Sequence, residues 1–353
     1  MAAAAIHVAL PAVDCDRLAA WMDAGGLGHG AITAVESLTG GSQNILLRFR
    51  RAGRAYVLRR PPAHPRPESS ETMRREARVL AALAGTDVPH PALIAACGDE
   101  AVLGAAFYLM EPIDGFCATA APLPLRHAGD AAMRHAMGLA LVDGAAALAR
   151  VDYRAVGLAG FGKPEGYLER QVSRWRRQLA GYAALAGWPG PGGLPGVDRV
   201  AAWLEDHRPA GSPAAILHGD YSIGNVLYRP DGPGLAAIVD WELATIGDPL
   251  VDLGWILATW HDAADGDIGV LRVEPFDGFP SPDELVARYA ERSGRDVGRI
   301  GWYVVLACFK LAIILEGSFA RACAGLASMT VGERLHGAAV RLLARALRRI
   351  DRA

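Results

Sequence analysis

Lysine is almost missing from this chain of 353 residues: Lys163 and Lys310 are the only two, and arginine carries nearly all the positive charge. Before residue 163 no ammonium side chain is available, so a strong cation there is a planar guanidinium rather than a point charge. Together with the abundant alanine, this usage fits a GC-rich genome. The five cysteines (Cys15, Cys97, Cys117, Cys308, Cys323) form no C-x-x-C pair, which argues against a zinc site or disulfide scaffold and fits a reducing compartment. The formal net charge is only −2, so there is no overall bias toward nucleic acid or an anionic membrane. No basic segment precedes the apolar start at 1–5, and Asp14 and Asp16 follow soon, so a signal peptide is not expected. The longest apolar run, 301–315, is interrupted by Lys310 and is too short for a membrane span; a buried helix is expected there. Without an export signal or a span, the expected location is the cytoplasm. There is no internal repeat and no low-complexity tract.

A chain of this length can bury a large core, as one large domain or as two lobes. Residues 14–24 read as a short helix capped by Asp14. Strand patterns follow over 31–38, 44–50 and 55–60, separated by Thr39-Gly40-Gly41-Ser42-Gln43 and Arg51-Ala52-Gly53-Arg54. Pro61, Pro62, Pro65 and Pro67 forbid regular structure next. Residues 69–84 read as a helix, with Ser69 or Ser70 as cap and Gly85 as stop. Two more strands are expected near 93–97 and 105–110. Beyond residue 115 the pattern is mostly helical, with candidates at 131–150 and 164–186 and a Gly/Pro-rich loop at 187–196. A hairpin is expected from strands 225–229 and 235–240 around Pro230-Asp231-Gly232-Pro233-Gly234, and helix from residue 246 onward.

The most informative stretch is Leu217-His218-Gly219-Asp220-Tyr221-Ser222-Ile223-Gly224-Asn225, followed by Ile238-Val239-Asp240-Trp241-Glu242. It sets an Asp, an Asn five residues later and a second Asp twenty residues after the first, on short apolar strands joined by tight turns. Phosphoryl transfer from ATP needs such a set: one carboxylate to accept the proton of the attacking hydroxyl, and a carboxamide and a second carboxylate to hold Mg²⁺ on the phosphates. Protein kinases carry them in the same order. Asp and Asn in a turn are usually structural, but three at this spacing are poorly explained that way.

Together with Gly247-Asp248-Pro249-Leu250-Val251-Asp252-Leu253, these motifs resemble the aminoglycoside phosphotransferase and choline kinase family. Tyr56-Val57-Leu58-Arg59-Arg60-Pro61-Pro62 and Arg170-Gln171-Val172-Ser173-Arg174-Trp175 are closest to a subgroup that includes kinase domains fused to some acyl-CoA dehydrogenases. The resemblance covers about residues 31–321. It implies an α+β, bilobal, protein-kinase-like fold: a small N-terminal lobe (1–112) with an antiparallel sheet and a helix, and a larger, mainly helical catalytic and substrate-binding lobe (113–353). The hinge is expected at Glu111-Pro112-Ile113-Asp114-Gly115, where backbone near Glu111 and Ile113 would take the adenine.

Within that frame Asp220 is the expected catalytic base, and Asn225 and Asp240 are the expected Mg²⁺ ligands. Gly41 and Ser42 lie in the candidate phosphate-covering turn; by itself such a Gly-Gly is usually only a hairpin. Met73, Leu80 and Leu83 mark an apolar helix stripe on which Glu76 sits. By periodicity alone Glu76 either pairs with a cation or reaches solvent from the stripe's edge; the resemblance puts it where kinases keep their helix-C glutamate. Its expected partner, a lysine on the third strand, is absent. Arg59 occupies that place, and Arg60 competes for it, since neighbouring strand residues face opposite ways. His218 is expected to support the loop by hydrogen bonding. Asp248 and Asp252 are expected to be structural, with Asp248 bracing the catalytic loop. Arg170, Arg174 and Arg177 share a helix face that is either a solvated basic surface or an anion site. The acidic segment 262–284 is either a solvated loop or an attractor of a polyamine or aminosugar. The implied activity is ATP- and Mg²⁺-dependent transfer of the γ-phosphate to a hydroxyl of a small molecule, such as an aminosugar or a hydroxyacyl-CoA ester, without nucleic-acid or membrane partners. A nucleotide-binding pseudokinase is the main rival, supported by the missing lysine. A metal-dependent hydrolase using the same acids explains neither the strand-rich N-terminal region nor Glu76.

Overall fold

The computed structural model describes residues 13–38, 44–62, 67–120, 122–261 and 268–352. The chain divides into two compact units, one of residues 1–114 with 239–242 and one of residues 115–238 with 243–353. Four residues around Asp240 thus belong with the first unit, although they lie far along the second in sequence.

The first unit begins with α1 (Cys15–Ala24), where the Asp14 carboxylate accepts from Arg17 N at 3.0 Å. Its sheet is built from β1 (Thr33–Ser37), β2 (Ile45–Arg51), β3 (Arg54–Arg60), β4 (Leu93–Cys97) and β5 (Phe107–Met110), in the order β1-β2-β3-β5-β4. All its pairings are antiparallel. The β2–β3 register closes on Ala52-Gly53, both at positive φ, the two-residue turn whose twist suits a hairpin. Leu47, Phe49, Tyr56 and Leu58 alternate onto the sheet face that packs with Leu18 and Met22 of α1. Helix α2 (Ser69–Leu83) packs on β4 and β5, burying Met73, Glu76, Ala77, Leu80 and Leu83. Its cap differs from expectation. Glu68 holds the N-cap position without a side-chain bond, and Ser70 is buried, where its hydroxyl accepts from Ala106 N at 3.2 Å. A serine used to satisfy a sheet amide cannot also cap the helix. A short helix, α3 (Glu100–Leu103), precedes β5.

The second unit is mainly helical: α4 (Leu125–Ala128), α5 (Ala131–Arg150), α6 (Glu169–Gly181), α7 (Val197–Asp206), α8 (Leu250–Thr259), α9 (Pro282–Ser293), α10 (Ile300–Cys323) and α11 (Met329–Ile350). Two small antiparallel ladders interrupt the helices, β6 (Ala215–Leu217) with β9 (Thr245–Gly247), and β7 (Val226–Tyr228) with β8 (Leu235–Ile238). Residue 246 therefore sits in a strand, and helix resumes only at Leu250, after Pro249, because pairing with Ile216 satisfies its backbone first. Helix α10 is the core of this unit and packs against α6, α7, α8 and α11. By length and composition it could cross a membrane, yet 83% of its most apolar window is buried inside the protein. Gly254 lets α8 approach it closely: a Cβ there would lie 2.7 Å from the Tyr303 carbonyl oxygen.

Asp248 joins these layers. Its buried carboxylate accepts from Tyr303 Oη (2.7 Å), Ser212 N (2.7 Å) and Leu250 N (3.0 Å). Burial pushes the carboxyl up, against these hydrogen bonds. Asp248→Ala leaves three buried donors short of an acceptor and is expected to cost on the order of 3 kcal/mol in urea denaturation followed by tryptophan fluorescence. An unchanged transition midpoint would contradict that role.

Candidate functional site

In the larger unit, the strand β6 delivers the chain into the loop 218–225. Gly219 has φ +86°, and a Cβ there would lie 2.5 Å from the Leu243 carbonyl oxygen, so only glycine fits. Three helices hold this loop. Asp252 of α8 accepts from His218 N at 2.7 Å and Gly219 N at 2.9 Å. Lys310 of α10 donates from Nζ to the Gly219 carbonyl at 2.6 Å. The Tyr221 hydroxyl donates to Leu141 O of α5 at 2.8 Å. The brace is thus Asp252 and not Asp248, whose bonds go to α10, Ser212 and the start of α8. One helical turn separates the two carboxylates, and only the second lies under the loop amides.

The side chains of the loop are ordered among themselves. Asp220 N donates to His218 Nδ1 at 3.3 Å, which makes that nitrogen the acceptor of the ring. Asn225 Nδ2 donates to both Asp220 O and Asp220 Oδ2, each at 2.8 Å. The carboxamide therefore fixes one carboxylate oxygen and keeps its own Oδ1 as an acceptor for a cation. A cavity of about 260 Å³ is lined by Asp220 and Asn225. Thr119, Ser222 and Thr259 give it hydroxyls, and Trp255, Val270, Leu271 and Leu311 give it apolar walls.

Lys310 is the residue at the candidate site that sequence reasoning missed. The signal was present: it is the one charged residue in the apolar run 301–315, and a buried cation needs partners. Its ammonium lies 4.2 Å from the Trp255 ring centroid and 5.7 Å from that of Trp175. Burial pushes it down to about 8, while Asp220 and Asp252 oppose that shift. Burial pushes the Asp252 carboxyl up, against His218, the two loop amides and Lys310.

In the smaller unit, β3 and α2 bring Arg59 beside Glu76. Arg59 Nε lies 3.0 Å from Glu76 Oε2, although its N–H makes no aligned hydrogen bond, and Nη2 lies 3.5 Å from Oε1. The same Nη2 donates to Asp240 Oδ1 at 2.6 Å. Asp240 adopts a left-handed backbone at φ +67°. The second oxygen of Glu76 accepts from the Tyr108 hydroxyl at 2.9 Å. One guanidinium is shared by two carboxylates and cannot neutralise both. Burial pushes the Glu76 carboxyl up to about 7 against Arg59 and Tyr108, and Asp240 adds to the rise. Burial pulls Arg59 down, but Glu76, Tyr108 and Asp240 outweigh it, and it ends above the ordinary arginine range. Arg60, with the parity of Tyr56 and Leu58, has a buried Nε without a hydrogen-bond partner, and burial lowers its guanidinium.

Other candidates fall elsewhere. Gly41 and Ser42 lie outside the described residues, as do Asp262, Asp265 and Asp267. Glu111 N donates to Ala92 O at 2.9 Å, and Glu111 Oε1 pairs with Arg54 at 2.9 Å, so neither group is left over for a base; Ile113 is partly buried. On α6, Arg170 donates to the carbonyls of Glu165 and Lys163, and Arg174 lies over the Trp175 ring, so two of the three arginines already have structural partners. In the acidic segment, Glu284 completes a capping box with Ser281 and Asp277 accepts from Arg134.

Residues 35–303 match the family described as "Phosphotransferase enzyme family". Acyl-CoA dehydrogenase family member 11 of Gallus gallus is 34% identical over 304 residues, 84% of this chain but 38% of that protein. The chain thus spans well under half the length of that relative. Among solved structures, a protein of Ralstonia eutropha JMP134 assigned to the aminoglycoside phosphotransferases is 31% identical, covers 96% of this chain and 99% of its own, and has a TM-score of 0.77. A thermostable mutant of aminoglycoside phosphotransferase APH(4)-Ia, solved as a ternary complex with AMP-PNP and hygromycin B, shares the fold at 15% identity and a TM-score of 0.53, over 88% of this chain and 95% of its own.

Two expectations follow from the shared guanidinium. Glu76 holds its proton more tightly in the folded chain than in the unfolded one, where it titrates near 4.5. Its contribution to stability is therefore full below about pH 4.5 and is lost as pH rises through about 7. Glu76→Gln removes that dependence, so the urea stability of wild type minus variant should fall by ~3 kcal/mol between pH 5 and 8; parallel curves would refute it. Arg59→Ala takes the cation from between two acids and is expected to cost about 3–5 kcal/mol, with Arg60→Ala costing less. The same denaturation series reads both, and an equal loss for the two would refute the assignment.

Proposed function

The chain belongs to the phosphotransferase enzyme family and has the protein-kinase-like α+β fold of its aminoglycoside phosphotransferase neighbours; from that premise we propose that this kinase-type transferase moves the γ-phosphate of ATP to a hydroxyl of a small molecule. The observation that carries the reading is the Asp220–Asn225 pair. Asn225 pins Oδ2 of Asp220, and the carboxylate so oriented would face the acceptor hydroxyl and accept its proton as the oxygen attacks phosphorus. The positioned carboxylate supplies a base without a reorganisation cost, and it lines the adjoining cavity where an acceptor would sit.

The donors present suit a hard divalent cation. Asn225 keeps a free-facing carbonyl oxygen, and Asp240 is a carboxylate with one oxygen on Arg59 and its side chain 36% exposed. Asn225 and Asp240 would hold Mg²⁺, which when bound neutralises charge on the transferring phosphate. Arg59, oriented by Glu76, would meet the phosphates; Gly41 and Ser42 would cover them; and backbone at Glu111 and Ile113 would flank the adenine.

For the acceptor, the cavity beside Asp220 favours a hydroxyl on an apolar carbon chain. Asp220 is the only carboxylate among its described lining residues. An aminosugar brings several ammonium groups, each of which needs an acidic partner when desolvated. A hydroxyacyl thioester such as a CoA ester matches the apolar wall, and similarity to an acyl-CoA dehydrogenase family member agrees with it. An aminosugar is the second reading, supported by the names of the structural neighbours.

The test is a phosphorylation screen with MgATP over hydroxyacyl-CoA esters, aminoglycosides and choline, read by mass spectrometry of the acceptor. Phosphorylated hydroxyacyl ester is the expected product. Phosphorylated aminoglycoside alone would overturn the acceptor assignment, and no phosphorylated product together with no ADP would favour the pseudokinase. With the acceptor in hand, Asp220→Asn is expected to lower kcat by ~10²–10⁴-fold with MgATP affinity retained, and EDTA to abolish turnover. Near wild-type turnover in either condition would sink the assigned roles.

A further inference from the structure

The lone ammonium in the core of the larger unit has a position that packing alone does not explain. Lys310 lies in the middle of α10, is 9% exposed, and aims Nζ at the Gly219 carbonyl, the peptide immediately before Asp220. Trp255 and Trp175 flank it with aromatic rings, which favour a cation and exclude water. A backbone carbonyl needs only a neutral donor, and a neutral side chain would avoid the cost of burying a charge. The charged groups that act on it are Asp220 from the loop, Asp252 from α8 and Arg174 from α6, with His218 adjoining Asp252. Asp252 grips the two N–H groups at 218 and 219 while Lys310 grips the carbonyl at 219, so the loop backbone is held between an anion and a cation.

We propose that Lys310 is a positioning residue for phosphoryl transfer: it fixes the Gly219–Asp220 peptide and sets a positive charge on the side of the loop that carries the Asp220 carboxylate, holding the base oriented. This rests on Asp220 serving as the base in the reading above. The ammonium also shields the loop from the like charge of Asp252. Because burial brings Lys310 down to about 8, its cation is present below that pH and is lost as pH rises through it. An alkaline limb in turnover follows, one that a merely structural lysine would not produce.

The experiment has two arms, on the whole chain. In the first, ¹³C-labelled lysine gives two side-chain signals, because the protein has only two lysines, and Lys310→Met assigns them. The Lys310 signal is expected to titrate near pH 8, and at lower pH in Asp220→Asn, since the variant removes a carboxylate that holds the proton. This arm needs no catalysis, so it measures the coupling even where the acceptor screen finds no phosphorylated product and the phosphotransferase reading fails. No change in the Lys310 titration on removing Asp220 would overturn the proposal. In the second arm the probe is MgATP turnover to ADP with water as acceptor. Lys310→Met, which keeps the stem between the tryptophans, is expected to lower kcat about 10²-fold with KM for MgATP within about twofold. The alkaline limb near pH 8 should vanish with it. Unchanged kcat, or an alkaline limb that persists, would overturn the proposal. Should Lys310→Met fail to fold, Lys310→Gln, which retains a donor without the charge, is read the same way. Loss of fold in both would make the lysine a purely structural cation and overturn the proposal as well.

Discussion

The buried carboxylate of Asp252 is the constraint on which the larger unit turns. It accepts the main-chain N–H groups of His218 and Gly219, and so ties the loop that carries Asp220 and Asn225 to the first turns of α8. Each of those amides, left unpaired in the interior, would cost a large part of a domain's net stability. The carboxylate is itself costly to bury. It is tolerable because two amides, His218 and the Lys310 ammonium all favour its charged form. Gly219 is obligatory in this loop because the chain turns there at positive φ and a Cβ would lie 2.5 Å from the Leu243 carbonyl oxygen. Loop, α8 and α10 are in this sense one electrostatic assembly, and the Tyr221 hydroxyl ties the loop to Leu141 of α5 as well.

The smaller unit solves a different problem with a single guanidinium. Arg59 meets Glu76 through Nε and Nη2 and Asp240 through Nη2, which a compact ammonium on a flexible stem cannot do with comparable direction. The Arg59 fork spans α2 and the segment around Asp240, and it keeps a cation buried beside two acids. Asp240 accepts a left-handed backbone conformation in doing so, a strain that aspartate tolerates better than most residues.

Much of this was readable before any fold was known, because it depends on near neighbours in sequence. Hairpin β2–β3 follows from alternation and a two-residue turn, and α1 from an Asp cap. The placement of Glu76 on an apolar stripe follows from helical period. Errors arose where a residue's partner is remote. Ser70 was a plausible cap until a sheet amide at Ala106 claimed its hydroxyl. Residues 246 and 247 were read as helix because nothing local shows that β6 pairs with them. Asp248 and Asp252 look alike in a motif, and only the position of the loop amides tells them apart.

The division has a physical cause. The sequence by itself determined the kinds of chemistry available and the local elements that carry them: an Asp, an Asn and a second Asp at kinase-like spacing, and an arginine where an ammonium is absent. These rest on spacing, period and turn preference, which act within a few residues. Tertiary structure alone decided which acid braces the loop and which of two neighbouring arginines meets Glu76. It also decided that Lys310, an apparent blemish in an apolar run, stands beneath the loop that carries Asp220. Such choices are settled by packing and by the cost of unpaired buried charge between segments tens to hundreds of residues apart, and no local pattern encodes that cost.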